Sequence, residues 1–146
     1  MRIRKILFAT DFSPASRKAF DAALDLAQQN KAELTIFHSI VPATLYSEAD
    51  TAISLYAQIE ADTRKNAENA LSRLKTRSVG KKIKTRTQLR KGAAAVQILR
   101  AAKGHRVDVI VVGTQGRTGL SKLLLGSVAS RVISMADRPV LTVPGR

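Results

Sequence analysis

The chain has 146 residues, with 25 Lys plus Arg against 11 Asp plus Glu, a formal charge of +14, no Cys and two His. These counts exclude disulfide scaffolds, thiol redox centres, Cys nucleophiles and ordinary zinc sites. At this length one domain is expected, able to hide about 70% of the surface of its unfolded chain, and with 45% apolar but only 4% aromatic residues its core must be built from Val, Ile, Leu and Ala.

The first residues, MRIRKILFATD, begin with a basic cluster, but their apolar run covers only Ile6 to Ala9, far short of a signal peptide's h-region. No run is long enough to cross a bilayer, so the expected compartment is the cytoplasm. Lys5 to Thr10 reads as a first strand that breaks at Asp11. Ser13 and Pro14 read as an N-cap and an N1 proline. The helix they open carries Phe20, Ala23, Leu24 and Ala27 on one stripe and closes at Asn30. A second strand covers Glu33 to Ile40. Residues 41–50 contain Pro42 and no periodicity, which predicts a loop. A long polar helix from about Thr51 to Ser78 follows, with Ile59, Ala67, Leu71 and Leu74 as its narrow apolar stripe.

Ile83 to Leu89 alternates, with Lys84, Arg86 and Gln88 on the wet side. Charges so placed discourage further pairing, which puts this third strand at a sheet edge. Gly92 to Lys103 predicts a helix capped by Gly104. Val107 to Val112 is the most apolar strand and belongs near the sheet centre, where both faces are covered. A last helix from about Ser127 to Ala136 precedes Pro139, and Val140 to Val143 makes the fifth strand. Alternating strands and helices predict an α/β fold, a parallel sheet with helices on both faces.

The chemistry-bearing segment is Gly113 to Ser127, GTQGRTGLSKLLLGS, between the central strand and the last helix. Open parallel sheets bind ligands beyond the carboxyl ends of their strands. Glycines there let backbone N–H groups approach an anion, and the start of a helix at Gly126 and Ser127 favours a phosphate. Neither the dinucleotide fingerprint nor the Walker A loop is present. The spacing is Gly113, two residues, Gly116, nine residues, then Gly126 and Ser127. With Asp11 after the first strand and a proline-valine terminal strand, it resembles the universal stress protein family over essentially the whole chain.

That resemblance implies a doubly wound five-stranded sheet in the order 3-2-1-4-5, a homodimer paired through the last strand, and ATP with magnesium as ligand. An uncharged edge at Val140 to Val143 independently invites a partner strand. By the resemblance, Asp11 lies at the base and ribose end, Gly113 beside the ribose, and Gly116, Gly126, Ser127 and Val128 around the phosphates. Backbone groups of His38, Ser39 and Ile40 hold the adenine. Ser39 stands where an apolar residue is usual, and Ala9 where several members have proline.

Read from the residues alone, Asp11 serves equally as a helix cap beside Ser13 or as a ligand contact. Arg117 and Lys122 are either counter-charges for phosphate or solvated loop cations. His38 reads as a hydrogen-bonded residue at a strand end rather than as a base. No Gly-x-Ser-x-Gly elbow or group poised to activate water is visible, so the expectation is a nucleotide-dependent regulator, not an enzyme, with at most slow ATP hydrolysis. The alternatives are an interaction module that binds no ATP, working through its dimer surface or basic patch, and a nucleotidyl-transfer enzyme. The basic patch is residues 73–91, with nine cations and no acid. Such a stretch attracts nucleic acid phosphates, but it lacks aromatics for base stacking and reads as a solvated edge.

Overall fold

The computed structural model describes residues 1–42, 50–115 and 125–145; of residues 50–54 only the helical backbone is described. Five parallel strands, β1 (Lys5–Ala9), β2 (Glu33–Ile40), β3 (Thr85–Lys91), β4 (Val109–Gly113) and β5 (Val140–Val143), form one sheet in the order β3-β2-β1-β4-β5. Four helices connect them: α1 (Ser16–Asn30), α2 (Asp50–Gly80), α3 (Ala94–His105) and α4 (Ser127–Met135). The doubly wound architecture and strand order match the expectation, and β3 and β5 are the two edges.

Two-residue periodicity divides the strand side chains between two cores. Ile6 and Phe8 of β1, Leu34 and Ile36 of β2, and Val109 and Val111 of β4 face α1 and α2. Leu7 and Ala9, Phe37, and Ile110 and Val112 face α3 and α4 instead. Ile6, Leu7 and Phe8 are completely buried, each contributing about 1.5–3 kcal/mol relative to an exposed side chain. The Asp108 carboxylate clips β4 to β1 by accepting the N–H groups of Arg4 at 2.7 Å and Lys5 at 2.9 Å. The Arg138 guanidinium donates to the carbonyls of Ala102 at 3.0 Å and Val107 at 2.9 Å, closing the end of α3.

Several junctions depart from the expected ones. Pro14 lies in a turn ahead of α1, not at N1, because the N–H of Ser16 donates to the Ser13 carbonyl at 3.1 Å. Ala15 is the N-cap, without a side-chain cap, and Ser13 caps nothing: its buried hydroxyl has no partner among the described residues. Gly104 lies inside α3, and Arg106 takes the left-handed cap (φ 53°) instead. Lys31 does the same after Asn30 (φ 51°).

β3 starts two residues late and ends two residues late. Ile83 is drawn into the core by the turn, its N–H donating to the Ser78 carbonyl, while the register with β2 continues to Ile40 opposite Lys91. Val107 similarly closes α3 by donating to the Ala102 carbonyl, so β4 begins at Val109. α2 exceeds its expected bounds by one and two residues, and α4 ends one residue early. In α2, Ala67 and Leu71 are buried and Leu74 packs at the core margin, but Ile59 is 50% exposed. The reason is length: 31 residues span about 46 Å, against about 26 Å for the eight-residue β2. The first half of α2 therefore overhangs the carboxyl ends of the strands. Most of the expected loop at residues 41–50 lies outside the described residues. Among the described residues, no helix is long and apolar enough to cross a membrane.

Candidate functional site

Three strand tips, β1, β2 and β4, end side by side and leave a cleft of about 420 Å³ at the carboxyl edge of the sheet. This is the size of small-ligand pockets, which run from roughly 300 to 1,000 Å³. Its floor is apolar, made by Ala9, Phe37 and Val112 of the sheet with Ala94 and Ile98 of α3. Its rim is polar. The β1–α1 loop supplies Thr10 and Asp11, α1 supplies Ser16, and the overhanging part of α2 supplies Thr63.

The β1–α1 loop is fixed by its own hydrogen bonds. The Asp11 carboxylate accepts the Ser13 N–H at 2.9 Å, which braces the loop and leaves Asp11 on the cleft wall. The carboxylate thus caps this turn and not α1. The Thr10 hydroxyl accepts the Phe12 N–H at 2.9 Å and lies 3.0 Å from the Ser16 hydroxyl, which in turn donates to the Ser13 carbonyl at 2.8 Å. Phe12 holds a left-handed backbone (φ 63°), and its ring packs 4.4 Å from that of His38. His38 Nδ1 lies 2.7 Å from the Thr10 carbonyl. A carbonyl only accepts, so this nitrogen carries the proton and ties β2 to β1. His38 is therefore a hydrogen-bonded strand-end residue, as its position suggested.

At the tip of β2, the Ser39 hydroxyl donates to the Gly92 carbonyl at 2.8 Å, and the Gly92 N–H donates to the Ile40 carbonyl at 2.9 Å. Gly92 sits at φ +141°, where an added Cβ would lie 2.8 Å from the Gln97 side chain. On the other wall, Gly126 is the N-cap of α4 without a side-chain cap, and its N–H donates to the Thr114 carbonyl at 2.6 Å. The first turn of α4 presents Ser127, Val128 and Ala129 to the cleft. Amides of a first turn lack helical partners, and the helix dipole adds about half a positive charge there.

Of the residues expected at a ligand, Ala9, Asp11, Ser39, Ile40, Gly113, Gly126, Ser127 and Val128 all line this one cleft. Gly116 and Arg117, with Lys122, lie outside the described residues. Sequence reading missed Thr63, Thr10, Ser16, Ala94 and Ile98. Only Thr10 carried a signal, as the hydroxyl next to Asp11. No group of three or more His, Cys, Asp or Glu suited to a metal ion exists among the described residues. Asp11 is the one carboxylate on the described cleft wall.

Comparison with known proteins agrees with this architecture. The model of the universal stress protein family matches residues 2–144. Universal stress protein YxiE of Bacillus subtilis is 35% identical over 144 residues, covering 95% of this chain and 97% of the relative. Universal stress protein UspA from Lactobacillus plantarum superposes with a TM-score of 0.87 at 23% identity, over 98% of this chain and 99% of that one. A universal stress protein from Archaeoglobus fulgidus, solved in complex with dAMP, superposes with a TM-score of 0.67 at 21% identity, over 97% and 98%. With both the family pattern and a relative of this identity covering nearly the whole chain, the protein belongs to the universal stress protein family.

Proposed function

We propose that this protein binds ATP in the cleft and acts as a nucleotide-dependent regulator, as a homodimer paired through β5. One observation carries the reading: an apolar slot, a carboxylate and the uncapped N-terminus of α4 share a single cleft. An adenine ring fits the slot beside the tip of β2, Asp11 faces the ribose, and the first-turn amides of Ser127 and Val128 face the phosphates. The A. fulgidus relative holds an adenine nucleotide on the same fold, which supports the choice of base. Magnesium, if it enters with ATP, would be held chiefly by phosphate oxygens, with Asp11 as the available carboxylate.

The proposed role is a switch with at most slow hydrolysis. Asp11 and His38, the ionisable side chains on the described cleft wall, are engaged with the Ser13 N–H and the Thr10 carbonyl. The dimer reading is supported by β5, an edge strand with Leu141 38% exposed, and by Ile133 and Met135 exposed on α4.

Titration calorimetry with ATP and magnesium tests the proposal against the Gly126→Leu variant. Gly126 has an ordinary backbone (φ −58°, ψ 152°), so the variant can fold while placing a side chain at the mouth of the α4 amides. Losing one or two charged hydrogen bonds should weaken ATP roughly tenfold or more. Wild-type protein that binds no ATP at millimolar concentration, or equal affinity in the variant, would refute the assignment.

A further inference from the structure

At the opposite end of the sheet, where the strands begin, a second hollow of about 430 Å³ lies between the end of α1, the start of β2 and the α2–β3 turn. Lys31, Lys81, Lys82 and Lys84 line it, with Glu33 as the one acid on its wall. Glu33 is already engaged, by Lys84 at 2.5 Å and Arg86 at 3.2 Å. Lys31, Lys81 and Lys82 form no ion pair among the described residues.

The plain explanation of such lysines is that cations suit helix C-termini. Here magnitude decides against it as a full account. The ends of α1 and α2 contribute about half a negative charge each, so the four lysines less Glu33 still leave a surplus of about two positive charges. Two of the lysines also hold left-handed backbones, Lys31 at φ 51° and Lys82 at φ 60°, positions where glycine is the easier residue. Gln28 anchors the turn by donating to the Lys81 carbonyl at 3.2 Å and offers a polar wall.

The rest of the basic run is differently disposed. Arg77 pairs with Asp21, Lys91 with Glu60, and Lys84 and Arg86 with Glu33. Acids from other elements thus break the continuous field that residues 73–91 show in sequence. Of the run's cations without an ion pair among the described residues, Arg73, Lys75 and Arg90 lie outside the hollow, while Lys81 and Lys82 meet Lys31 from the end of α1 within it, so three unpaired lysines from two elements share one concavity. We infer that this hollow is a second anion site, distinct from the cleft, that takes a short chain of phosphate groups.

Calorimetry of the intact protein with sodium tripolyphosphate and, separately, inorganic phosphate tests this at low salt. Tripolyphosphate should bind more tightly than phosphate, and its affinity should fall as salt rises. Lys81→Gln should weaken tripolyphosphate about threefold and the Lys31→Gln/Lys82→Gln pair about tenfold, the scale of exposed charge pairs. Lys75→Gln, outside the hollow, should change it by less than about 1.5-fold on the same scale, and the Gly126→Leu variant should keep the lysine-dependent component of the binding. Should the paired variant fold poorly, Lys81→Gln, at a position with an ordinary backbone, carries the test alone. Unaltered affinity in the lysine variants, or loss only in Gly126→Leu, would overturn the site. An equal loss in Lys75→Gln, or tighter binding of a single-stranded oligonucleotide that Lys75→Gln also weakens, would do the same.

Discussion

Ser39 separates two roles that the cleft could give a hydroxyl: holding the protein together or reading the base. It is 8% exposed and its hydroxyl donates to the Gly92 carbonyl at 2.8 Å, bridging the tip of β2 to the β3–α3 loop. Ser39→Ala removes that bond and leaves the carbonyl short of a partner in a partly buried position. The net cost is about 1 kcal/mol. For a chain of this size that lowers the melting temperature by about 3 °C. Because the hydroxyl is already committed to Gly92, ATP affinity should stay within about twofold on this accounting. Ser39→Val loses the same bond but adds two methyl carbons over the apolar slot, which offset roughly 1 kcal/mol of it; its melting temperature should lie above that of Ser39→Ala and close to that of wild type. Scanning calorimetry and ATP titration on the three proteins give both readouts. An unchanged melting temperature in Ser39→Ala together with a tenfold loss of ATP affinity would show the hydroxyl reading the ligand, and the structural argument would be wrong.

Acid should destabilise the protein in two steps. His105 has its pKa lowered from 6.5, first by burial and then by Arg86, Arg90 and Lys5, so its contribution is complete above that value and shrinks as pH falls below it. Asp108 is held below its ordinary 3.8 chiefly by the Arg4 N–H and also by that of Lys5, so its contribution persists to lower pH and fades as pH drops under 3.8. Urea midpoints followed from pH 7 downward should lose the upper step in His105→Gln and the lower in Asp108→Asn; coincident curves for all three proteins would contradict both origins. At the β5 edge, Leu141→Lys puts a charge where a partner strand would pair, and light scattering should then report half the wild-type mass, whereas an unchanged mass would place the dimer contact elsewhere.

How far these features were legible in the sequence depends on the range of the interactions that make them. β1 and β4 are short apolar runs, and their pairing in a parallel sheet follows from alternation of strand and helix alone. That topology brings Ala9, Asp11, Ser39, Ile40 and Gly113 to one edge without any knowledge of side-chain contacts. Junctions were misjudged where a turn takes an apolar residue that looks like strand, as at Ile83 and Val107, or where a cation replaces the expected glycine cap, as at Arg106. Thr63 was illegible because it reaches the cleft only through the excess length of α2. The acids that neutralise the basic run, Asp21, Glu33 and Glu60, were equally hidden, since each sits on another element.

The same topology accounts for the placement of charge in a chain with a formal excess of +14. Every helix of a parallel α/β sheet begins at the carboxyl edge of the strands and ends at the amino edge, so amide dipoles converge on one rim and carbonyl dipoles on the other. At the first rim the N-terminus of α4 carries no side-chain cap and faces the cleft. At the second, Lys31, Lys82 and Arg106 occupy left-handed positions just beyond helix ends. On the proposed reading, phosphate in the cleft would rest on backbone amides that mutation of surface charge leaves in place, whereas an anion in the hollow would rest on lysine side chains. Raising ionic strength should therefore weaken the second far more steeply than the first, and a common salt dependence would show that one rim is doing the binding for both.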